Sequence, residues 1–535
     1  MKKYFLLVII LSLASLLRLP ILGDFPNGFS GDEVQQGYSA YSILKTGQDE
    51  WGQSFPIFPR GFGDFKPPLY TYLTVPSIAV FGLTIEAVRI PSAIMGILTV
   101  LVVFFLAKEL FNDKKIAYWS AFIMAILPWH IQLSRTAFEG GTGILFFSMG
   151  LLFYLKSLKD NRYLVLSAFS WGLTFYAYHS FRVFTALFII VLIILSRKKL
   201  FNIKNLAACL VLFLFILPLI LNLKTTLVRA SDVGITSQQS LESYYKNKGT
   251  SSLPYLVDRT VDNKVLYVAN KFLENYLSYF SPQFFFTGLR SDGSYLNFPY
   301  YPLDYPVEIV LWIVAGYFLI FKKQENGKIV TVWFLLSAIP ASLAQDGASA
   351  HRAVTFLPLV AIISGLGAAK LVQRSKNIQP VLIAIMIISL LTFLRFYFIK
   401  LPEHPPESLR MGYEETFKEI LKLADSHDEV VISKSFTQPQ IFVAFYGQVD
   451  PKVFQQASLD WLRYEKANKL YIDQLESWNL GKFLFEGINW QEKDSKRKNA
   501  LIVGRADEFS ANLNAIFEYK DLKDKVVYKI ISTQK

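Results

Sequence analysis

The chain has 535 residues, of which 52% are hydrophobic and only 18% are charged, and this composition excludes an ordinary soluble globular protein. The formal net charge of +13 does not indicate a nucleic-acid partner, because residues 401–535 hold 19 Lys and Arg against 21 Asp and Glu. The basic excess therefore lies in the apolar part, where it suits anionic lipid headgroups. The single cysteine, Cys209, excludes disulfides and cysteine-ligated metal sites.

Apolar segments long enough to enter a membrane recur along the first 400 residues. The first, residues 4–20, is expected to be a retained span, because no small-residue cleavage site follows its basic start. The others lie at 68–84, 90–107, 117–131, 141–157, 162–178, 182–196, 205–223, 305–322, 328–344, 353–372 and 379–396.

The positions of Lys and Arg in the short connections predict the orientation of these segments. The connections KELFNDKK, KSLKDNR, SRKKLFNIK, KKQENGK and KLVQRSKN are basic and should be cytoplasmic. They fall on one side only if 68–84 does not cross the bilayer, so we expect it to be a half-embedded helix on the outer face. The result is about eleven spans of a multi-pass plasma membrane protein, with a cytoplasmic N-terminus and an extracytoplasmic C-terminus.

Three regions should then face outward: residues 21–89, residues 224–304 and a C-terminal domain. From residue 401 to 535 the β-rich runs EVVISKS, KFLFEGI, NALIVGR and KVVYKIIS alternate with amphipathic stretches such as EETFKEILKLAD. We predict a mainly α, polytopic helix bundle over residues 1–400, followed by a small extracytoplasmic α/β domain over 401–535.

Ionisable residues are almost absent from the middles of the predicted spans and collect at their outer ends. The principal candidates are Asp32 and Glu33 after the first span, with Lys66 and Arg89 on either side of the half-embedded segment. Further polar groups at the same face are His130, Arg135, Glu139, His179, Arg182, Asp346, His351 and Arg352.

Acids and cations at a membrane boundary suit a substrate whose lipid tail stays in the bilayer and whose phosphate lies at headgroup depth. Arg and Lys bind phosphate through charge-assisted hydrogen bonds and stabilise a phosphate leaving group. A carboxylate can take the proton of an attacking hydroxyl, and Asp32 is the candidate base. One such carboxylate favours a single displacement with inversion, and no metal or cofactor is required.

Three stretches carry a family resemblance: GDEVQQGYSAYSILKTGQDEWG, DFKPPLYTYLTVPSIAVFG and EAVRIPSAIMGILTVLVVFFLAKELF. They resemble the GT-C type glycosyltransferases that use polyprenyl-phosphate sugars, including protein O-mannosyltransferases and lipid A aminoarabinose transferases. The resemblance implies that Asp32 is catalytic with Glu33 beside it, and that Lys66 and Arg89 lie near the donor phosphate. Arg135, His351 and Arg352 are further candidates for binding that phosphate.

The resemblance implies a polyprenyl-phosphate sugar as donor and leaves the acceptor open. The C-terminal domain is not the sugar-binding repeat of eukaryotic protein O-mannosyltransferases, so the acceptor could be a lipid, a polysaccharide or a protein. A lipid or glycolipid transporter or flippase is the alternative function. It would place polar groups near the bilayer midplane, which is almost uncharged in this chain. A non-catalytic scaffold is the third possibility.

Each candidate residue also has a structural interpretation. SGDE before a helical pattern is a helix-start signal, which could explain Asp32 and Glu33. Lys66 could be an interfacial anchor, and Arg135, Arg182 and Arg352 could face lipid headgroups. A metal site made of His130, His179 and His351 would need three separate loops to converge, and none is predicted.

Overall fold

The computed structural model describes residues 4–195, 205–248, 260, 263–288, 301–322, 324–345, 347–466, 472–510 and 512–533. The basic connection SRKKLFNIK lies entirely outside this range, as do Asp346 and parts of the predicted outer region 224–304. The described chain is mostly helical and ends in a single mixed sheet.

Most described residues of the apolar part are in helices. In chain order they are α1 (Phe5–Arg18), α2 (Gly31–Thr46), α3 (Pro68–Phe81), α4 (Ile85–Phe111), α5 (Lys114–Ile126), α6 (Pro128–Arg135), α7 (Gly140–Ser157), α8 (Tyr163–Thr174), α9 (His179–Leu195), α10 (Leu206–Leu221), α11 (Leu223–Val233), α12 (Gln238–Lys248), α13 (Lys264–Ser278), α14 (Pro282–Phe286), α15 (Glu308–Ile320), α16 (Gly327–Ser342), α17 (Leu357–Arg374) and α18 (Ile378–Arg395).

Several of these helices have the length and composition of membrane spans. Ile85–Phe111, Val354–Arg374 and Ile378–Glu403 qualify alone, and the bent pairs α5–α6 and α10–α11 raise the number to five within the described residues. Other apolar helices are shorter. One is α3, whose 14 residues measure about 21 Å, less than the roughly 30 Å of a bilayer core. The chain is thus a membrane protein, whereas the number of spans and their orientation stay predictions.

The chain divides into two compact units that do not follow sequence order. One unit holds residues 1–20 and 92–396, and the other holds 21–91 together with 397–535.

In the first unit, α17 packs against α5 and α15 through small residues. A Cβ on Gly365 would lie 2.6 Å from the backbone nitrogen of Ser120, and one on Gly367 would lie 2.0 Å from the carbonyl oxygen of Leu311. Only glycine permits helix backbones to approach so closely.

The second unit combines the loop after α1 with the C-terminal residues. Its C-terminal part contains α19 (Leu401–Glu403), α20 (Tyr413–Ala424), β1 (Glu429–Ser433), α21 (Pro439–Tyr446), α22 (Pro451–Trp461), α23 (Arg463–Lys466), β2 (Ser477–Leu480), β3 (Phe483–Glu486), β4 (Ala500–Arg505), β5 (Phe517–Lys520) and β6 (Val526–Ser532). Helix α2 packs against α3, α21 and α22, all of this unit. The loop 21–91 and the C-terminal residues therefore share one core.

The sheet has the strand order β2-β3-β1-β4-β6-β5. Strand β1 lies at its centre, parallel to both β3 and β4, whereas the outer pairings β2–β3, β4–β6 and β6–β5 are antiparallel. Val430, Val431 and Ile432 of β1 are fully buried, as expected for a parallel strand covered on both faces.

The predicted fold class is confirmed: a mostly helical chain with several apolar helices and a small C-terminal α/β region. The four predicted β-rich runs form β1, β3, β4 and β6, and EETFKEILKLAD forms α20. Strands β2 and β5 were not predicted. They are four-residue edge strands: β2 has two buried positions and β5 alternates between half-buried and exposed ones, so their hydrophobic signal is weak.

Replacing Gly367 with Ala should destabilise the first unit, because the carbonyl of Leu311 cannot move away from a new methyl group without shifting a helix. We expect a loss of about 1–3 kcal/mol, measured as a lower thermal midpoint in detergent. Gly316→Ala is the matched control in the facing helix α15, since a Cβ there meets nothing within 4 Å. Equal effects of the two substitutions would contradict the packing of these helices.

Candidate active site in the loop after the first helix

Asp32 lies in the first turn of α2, beside a complete capping box. The Ser30 hydroxyl accepts the N–H of Glu33 at 3.3 Å, and the Glu33 carboxylate accepts the N–H of Ser30 at 3.0 Å. The helix-start interpretation therefore holds for Glu33, whose side chain is fully buried. The side chain of Asp32, one residue earlier, is 50% exposed. The two adjacent carboxylates thus have opposite environments.

Lys66 pairs with Asp32. Its Nζ lies 2.8 Å from Oδ1 of Asp32 and 3.3 Å from Oδ2 of Asp64, and the Lys66 side chain is 17% exposed. Two predicted site residues, 34 positions apart in the sequence, are thereby brought into direct contact. The arrangement is a cation between two carboxylates, one of which is open to solvent.

The backbone before α3 fixes the position of Lys66. The N–H of Lys66 donates to the carbonyl of Pro59 at 2.8 Å, and the N–H of Gly61 donates to the carbonyl of Asp64 at 2.7 Å, which closes a tight hairpin. Pro67 then has φ −64, and Pro68 occupies the first helical position of α3, where its missing N–H costs nothing. The sequence FKPPL therefore places Lys66 directly before a helix start.

Glu33 forms a buried ion pair with Arg89, near the start of α4. Arg89 Nε donates to Glu33 Oε1 at 2.9 Å and Nη2 donates to Oε2 at 3.3 Å. The remaining N–H groups donate to the carbonyls of Leu22 at 2.9 Å, Pro26 at 3.1 Å and Gly28 at 2.6 Å. These five acceptors equal the five N–H groups of a guanidinium.

The full set of acceptors around the Arg89 guanidinium restricts the predicted contact between Arg89 and a phosphate. The guanidinium is fully buried and packs over the ring of Phe29 at 5.5 Å. A phosphate on Arg89 would have to replace one of its five acceptors. In the present arrangement Arg89 orders the backbone of residues 22–28 and holds the first turn of α2, so it positions Asp32 indirectly.

A second acidic pair, Asp49 and Glu50, was missed as a site by sequence reasoning. Glu50 is fully buried, and it accepts hydrogen bonds from Ser39 Oγ at 2.6 Å and from Gln35 Nε2 at 3.1 Å. Burial, assisted by the charge of Asp49, raises the pKa of Glu50 to about 8; burial also raises the pKa of Asp49. Glu50 is therefore largely protonated at neutral pH, unlike a typical surface Glu.

Helix α22 supports this pair from the C-terminal part of the same unit. Gln455 Nε2 donates to the carbonyl of Asp49 at 2.9 Å, and Ser458 Oγ donates to the carbonyl of Glu50 at 3.1 Å. Tyr38 of α2 donates to the carbonyl of Val449 at 2.8 Å. The C-terminal residues therefore help to build the loop that carries the candidate site. The sequence QDEW shows two adjacent acids, but its polar flanks, KTG before it and GQS after it, do not indicate their burial.

The remaining predicted phosphate ligands belong to the first unit. Arg135 is buried and donates to the carbonyls of Leu17 at 3.2 Å and Pro20 at 3.0 Å. The Nδ1 of His351 lies 2.7 Å from Ser349 Oγ, and the carbonyl of Arg352 accepts from Ser180 at 3.1 Å. His351 and Arg352 are both half-buried. Their role as phosphate ligands stays a prediction.

A further polar cluster of the first unit surrounds Arg18, which was not a candidate. Arg18 donates to the carbonyls of Ala125 at 2.8 Å and Met124 at 3.1 Å, and its Nη2 lies 2.9 Å from Nδ1 of His130. Pro128 lacks an N–H and begins α6, so the carbonyl of Met124 has no helical donor. Arg18 supplies that donor and stabilises the break between α5 and α6.

The other polar residues at the predicted outer ends include His179, Arg182 and Asp346. The structure contains no group of three His, Cys, Asp or Glu side chains suited to a metal ion within the residues it describes. His179 Nδ1 lies 3.2 Å from Nη1 of Arg182, and Asp346 lies outside the described residues.

Breaking the Glu33–Arg89 pair should cost about 3–5 kcal/mol of stability, because either substitution leaves the partner charge buried alone. We expect Glu33→Gln and Arg89→Met each to lower the thermal midpoint in detergent. The double variant should lose less stability than the sum of the single losses. Additive losses would show that the two side chains do not act as a pair.

Glu50 should make the protein less stable as the pH rises. Its pKa is raised in the folded state, so its contribution is fully present below about pH 4.5 and is lost as the pH approaches 8. The thermal midpoint should therefore fall between pH 5.5 and 8, and Glu50→Gln should flatten this slope. Glu415→Gln, at an exposed position, is the control and should leave the slope unchanged. A wild-type slope that persists in Glu50→Gln would contradict the assignment.

Comparison with known proteins gives one sequence-family match and several structural neighbours. Residues 65–221 match the family described as dolichyl-phosphate-mannose-protein mannosyltransferase. No curated protein matches the chain in sequence. The family match begins one residue before Lys66 and includes Arg89.

Among solved structures, the chain is similar to ArnT from Cupriavidus metallidurans in the apo state. The TM-score is 0.56 at 13% identity, over 99% of this chain and 98% of that one. ArnT bound to undecaprenyl phosphate gives a TM-score of 0.52 at 14% identity over the same shares.

The oligosaccharyltransferase AglB from Archaeoglobus fulgidus, in complex with an inhibitory peptide and a dolichol-phosphate, gives a TM-score of 0.48 at 15% identity. The match covers 83% of this chain, and this chain spans 64% of AglB. The fold is therefore assigned from the similarity to ArnT, which extends over nearly the whole length of both chains. The predicted resemblance to GT-C type glycosyltransferases is confirmed: the chain has their fold, and its residues 65–221 match the dolichyl-phosphate-mannose-protein mannosyltransferase family.

Proposed function

We propose that the protein is an integral membrane glycosyltransferase that moves one sugar from a polyprenyl-phosphate donor to an acceptor on the extracytoplasmic face. The family match over residues 65–221 and the ArnT fold support a glycosyltransferase. The ArnT structure with undecaprenyl phosphate supports a lipid-phosphate carrier for this chain as well.

The contact between Asp32 and Lys66 carries the proposal. The half-exposed side chain of Asp32 lies 2.8 Å from the ammonium group of Lys66, whose side chain is mostly buried. A glycosyl transfer from a lipid phosphate needs a base for the acceptor and a cation for the leaving group, and this pair provides one of each.

The reaction is a single displacement at the anomeric carbon. The acceptor hydroxyl oxygen attacks, its proton passes to Asp32, and the bond between the anomeric carbon and the phosphate oxygen breaks. The electron pair of that bond stays on the polyprenyl phosphate, whose added negative charge Lys66 stabilises. The configuration at the anomeric carbon is inverted, because attack and departure occur on opposite faces.

Asp64 and the remaining predicted site residues take supporting roles. Asp64, 3.3 Å from Lys66, orients the ammonium group before the donor binds. Glu33 and Arg89 hold the first turn of α2, and Arg135, His351 and Arg352 are proposed to contribute to phosphate binding. The proposed orientation is a cytoplasmic N-terminus and an extracytoplasmic C-terminal region, as the basic connections indicate.

One observation favours a lipid transporter or flippase instead. Helices α5 and α6 are bent by 56° at Pro128, and broken spans are common around transporter substrate sites. Transport without chemistry would not need the proton acceptor at Asp32. The effect of Asp32→Asn on glycan transfer therefore separates the two functions.

Asp32→Asn should reduce sugar transfer by at least about 100-fold, because the amide cannot accept the proton. Transfer would be followed by mass spectrometry of envelope glycans in cells lacking the gene and complemented with each variant. Binding of labelled polyprenyl phosphate to the purified variant should remain near the wild-type level.

Asp24→Asn is the matched control, since Asp24 is an exposed carboxylate of the same loop. It should restore wild-type glycans. Unchanged transfer by Asp32→Asn would refute the base assignment, and identical glycans with and without the gene would refute the transferase itself.

A further inference from the structure

The C-terminal sheet contains a topological switch point. The chain leaves β1 toward β3 on one side and later returns to form β4 on the other side, and both strands run parallel to β1. The connections at the carboxyl ends of β1 and β4 therefore diverge. In open α/β sheets, ligands bind in the crevice that such a divergence leaves.

One carboxylate ties the two sides of this crevice together. Glu508, just after β4, accepts hydrogen bonds from Ser433 Oγ at 2.5 Å and Ser435 Oγ at 2.8 Å, at the end of β1. It also accepts the N–H of Arg505 at 2.7 Å. The ends of both parallel strands are thus fixed relative to each other, so the crevice is preformed.

A cavity of about 280 Å³ lies at this position. Its wall includes the hydroxyl residues Ser435 and Thr437 from the end of β1, and Arg505 from the end of β4. Tyr519 and Tyr528 add neighbouring rings, 5.9 Å apart and nearly parallel. Ring faces suit the C–H faces of a sugar, and the hydroxyl and guanidinium groups suit its polar edges.

The third side of the cavity is the Pro-rich segment before α20, which presents Arg410. Arg410 has φ 53 and ψ 48, in the left-handed region that is costly for a residue with a side chain. Its guanidinium has no hydrogen-bond acceptor among the residues that the structure describes. Asp473 interacts with its charge only at longer range. A strained backbone thus holds an available guanidinium at the cavity.

The acidic residues of the wall are largely engaged. Glu403 pairs with Lys400 at 2.9 Å, and Oδ1 of Asp521 accepts the N–H groups of Lys523 and Lys525. Glu407 remains as an exposed acceptor for sugar hydroxyls. The guanidinium of Arg505 is 3.9 Å from Asp507, too far for a strong hydrogen bond. Within the described residues, Arg410 therefore has no close counter-ion, and Arg505 adds a second cation that is only weakly paired, with Asp507 at 3.9 Å.

We propose that this crevice is a binding site for an anionic saccharide, meaning a sugar that carries a carboxylate or a phosphate. The acidic group binds Arg410 and Arg505 in charge-assisted hydrogen bonds, and the sugar ring packs on Tyr519 and Tyr528. This site is distinct from Asp32 and Lys66, and the proposal does not depend on glycosyl transfer.

The test is ligand-observed NMR with the purified full-length protein and three probes: glucuronic acid, glucose 6-phosphate and uncharged glucose. We expect both acidic sugars to bind and glucose to bind at least about tenfold more weakly, a difference of about 1.4 kcal/mol. Equal binding of glucose would overturn the role of the anion. Equal competition by inorganic phosphate alone would overturn the role of the sugar ring.

Arg410→Gly separates ligand binding from folding. Glycine accepts φ 53 without strain, so the variant should keep or raise its thermal midpoint while its affinity for glucuronic acid falls at least about tenfold. Arg463→Ala, elsewhere in the same part of the chain, is the matched control and should bind normally. Asp32→Asn should also bind normally, whatever its transfer activity. Undiminished binding by Arg410→Gly, or no binding of either acidic sugar to the wild type, would refute the site.

Discussion

A fully buried ion pair between Glu33 and Arg89 fixes the loop that carries Asp32. A buried charge is costly unless it is paired and hydrogen-bonded, and in this pair every N–H of the guanidinium has an acceptor. Three of these acceptors are backbone carbonyls between residues 22 and 28. The pair therefore fixes the backbone of residues 22–28, after the first helix, in one conformation. It also explains why two adjacent acids behave differently: Glu33 is committed to this pair, which leaves Asp32 at the surface.

Four carboxylates within residues 21–91 differ in their burial and in the groups that they contact. Asp32 is half-exposed and paired with Lys66, whereas Glu33 is buried and ionic. Asp49 and Glu50 are buried against polar neighbours, and Glu50 is held neutral. This separation of environments is typical of sites where one carboxylate reacts and the others support it. In the C-terminal sheet, Glu508 plays a comparable supporting role by joining the ends of β1 and β4.

Much of the fold could be predicted, because hydrophobic periodicity is strong in spans and in buried parallel strands such as β1. Asp32 and Lys66 were predicted as site residues from the ionisable groups at the outer ends of the spans and from the family resemblance, whereas their direct contact is seen only in the structure. The acceptors of Arg89 could not be predicted, since three are backbone carbonyls that leave no trace in the side-chain sequence. The burial of Glu50 depends on α2 and α22, which are about 400 residues apart. Arg18 was missed because its partners are carbonyls freed by a proline on another helix.

Residues 21–91 and 397–535 form one compact unit, although more than half of the chain separates them. During synthesis the first segment leaves the ribosome well before its packing partners in the second segment. The carbonyls of Asp49 and Glu50 gain Gln455 and Ser458, which follow them by 406 and 408 residues in the chain. Many domains can fold as they emerge from the ribosome. This unit can fold completely only after both of its segments have been synthesised. A polypeptide interrupted between the two segments would keep most apolar helices but lack the partners that complete the packing of residues 21–91.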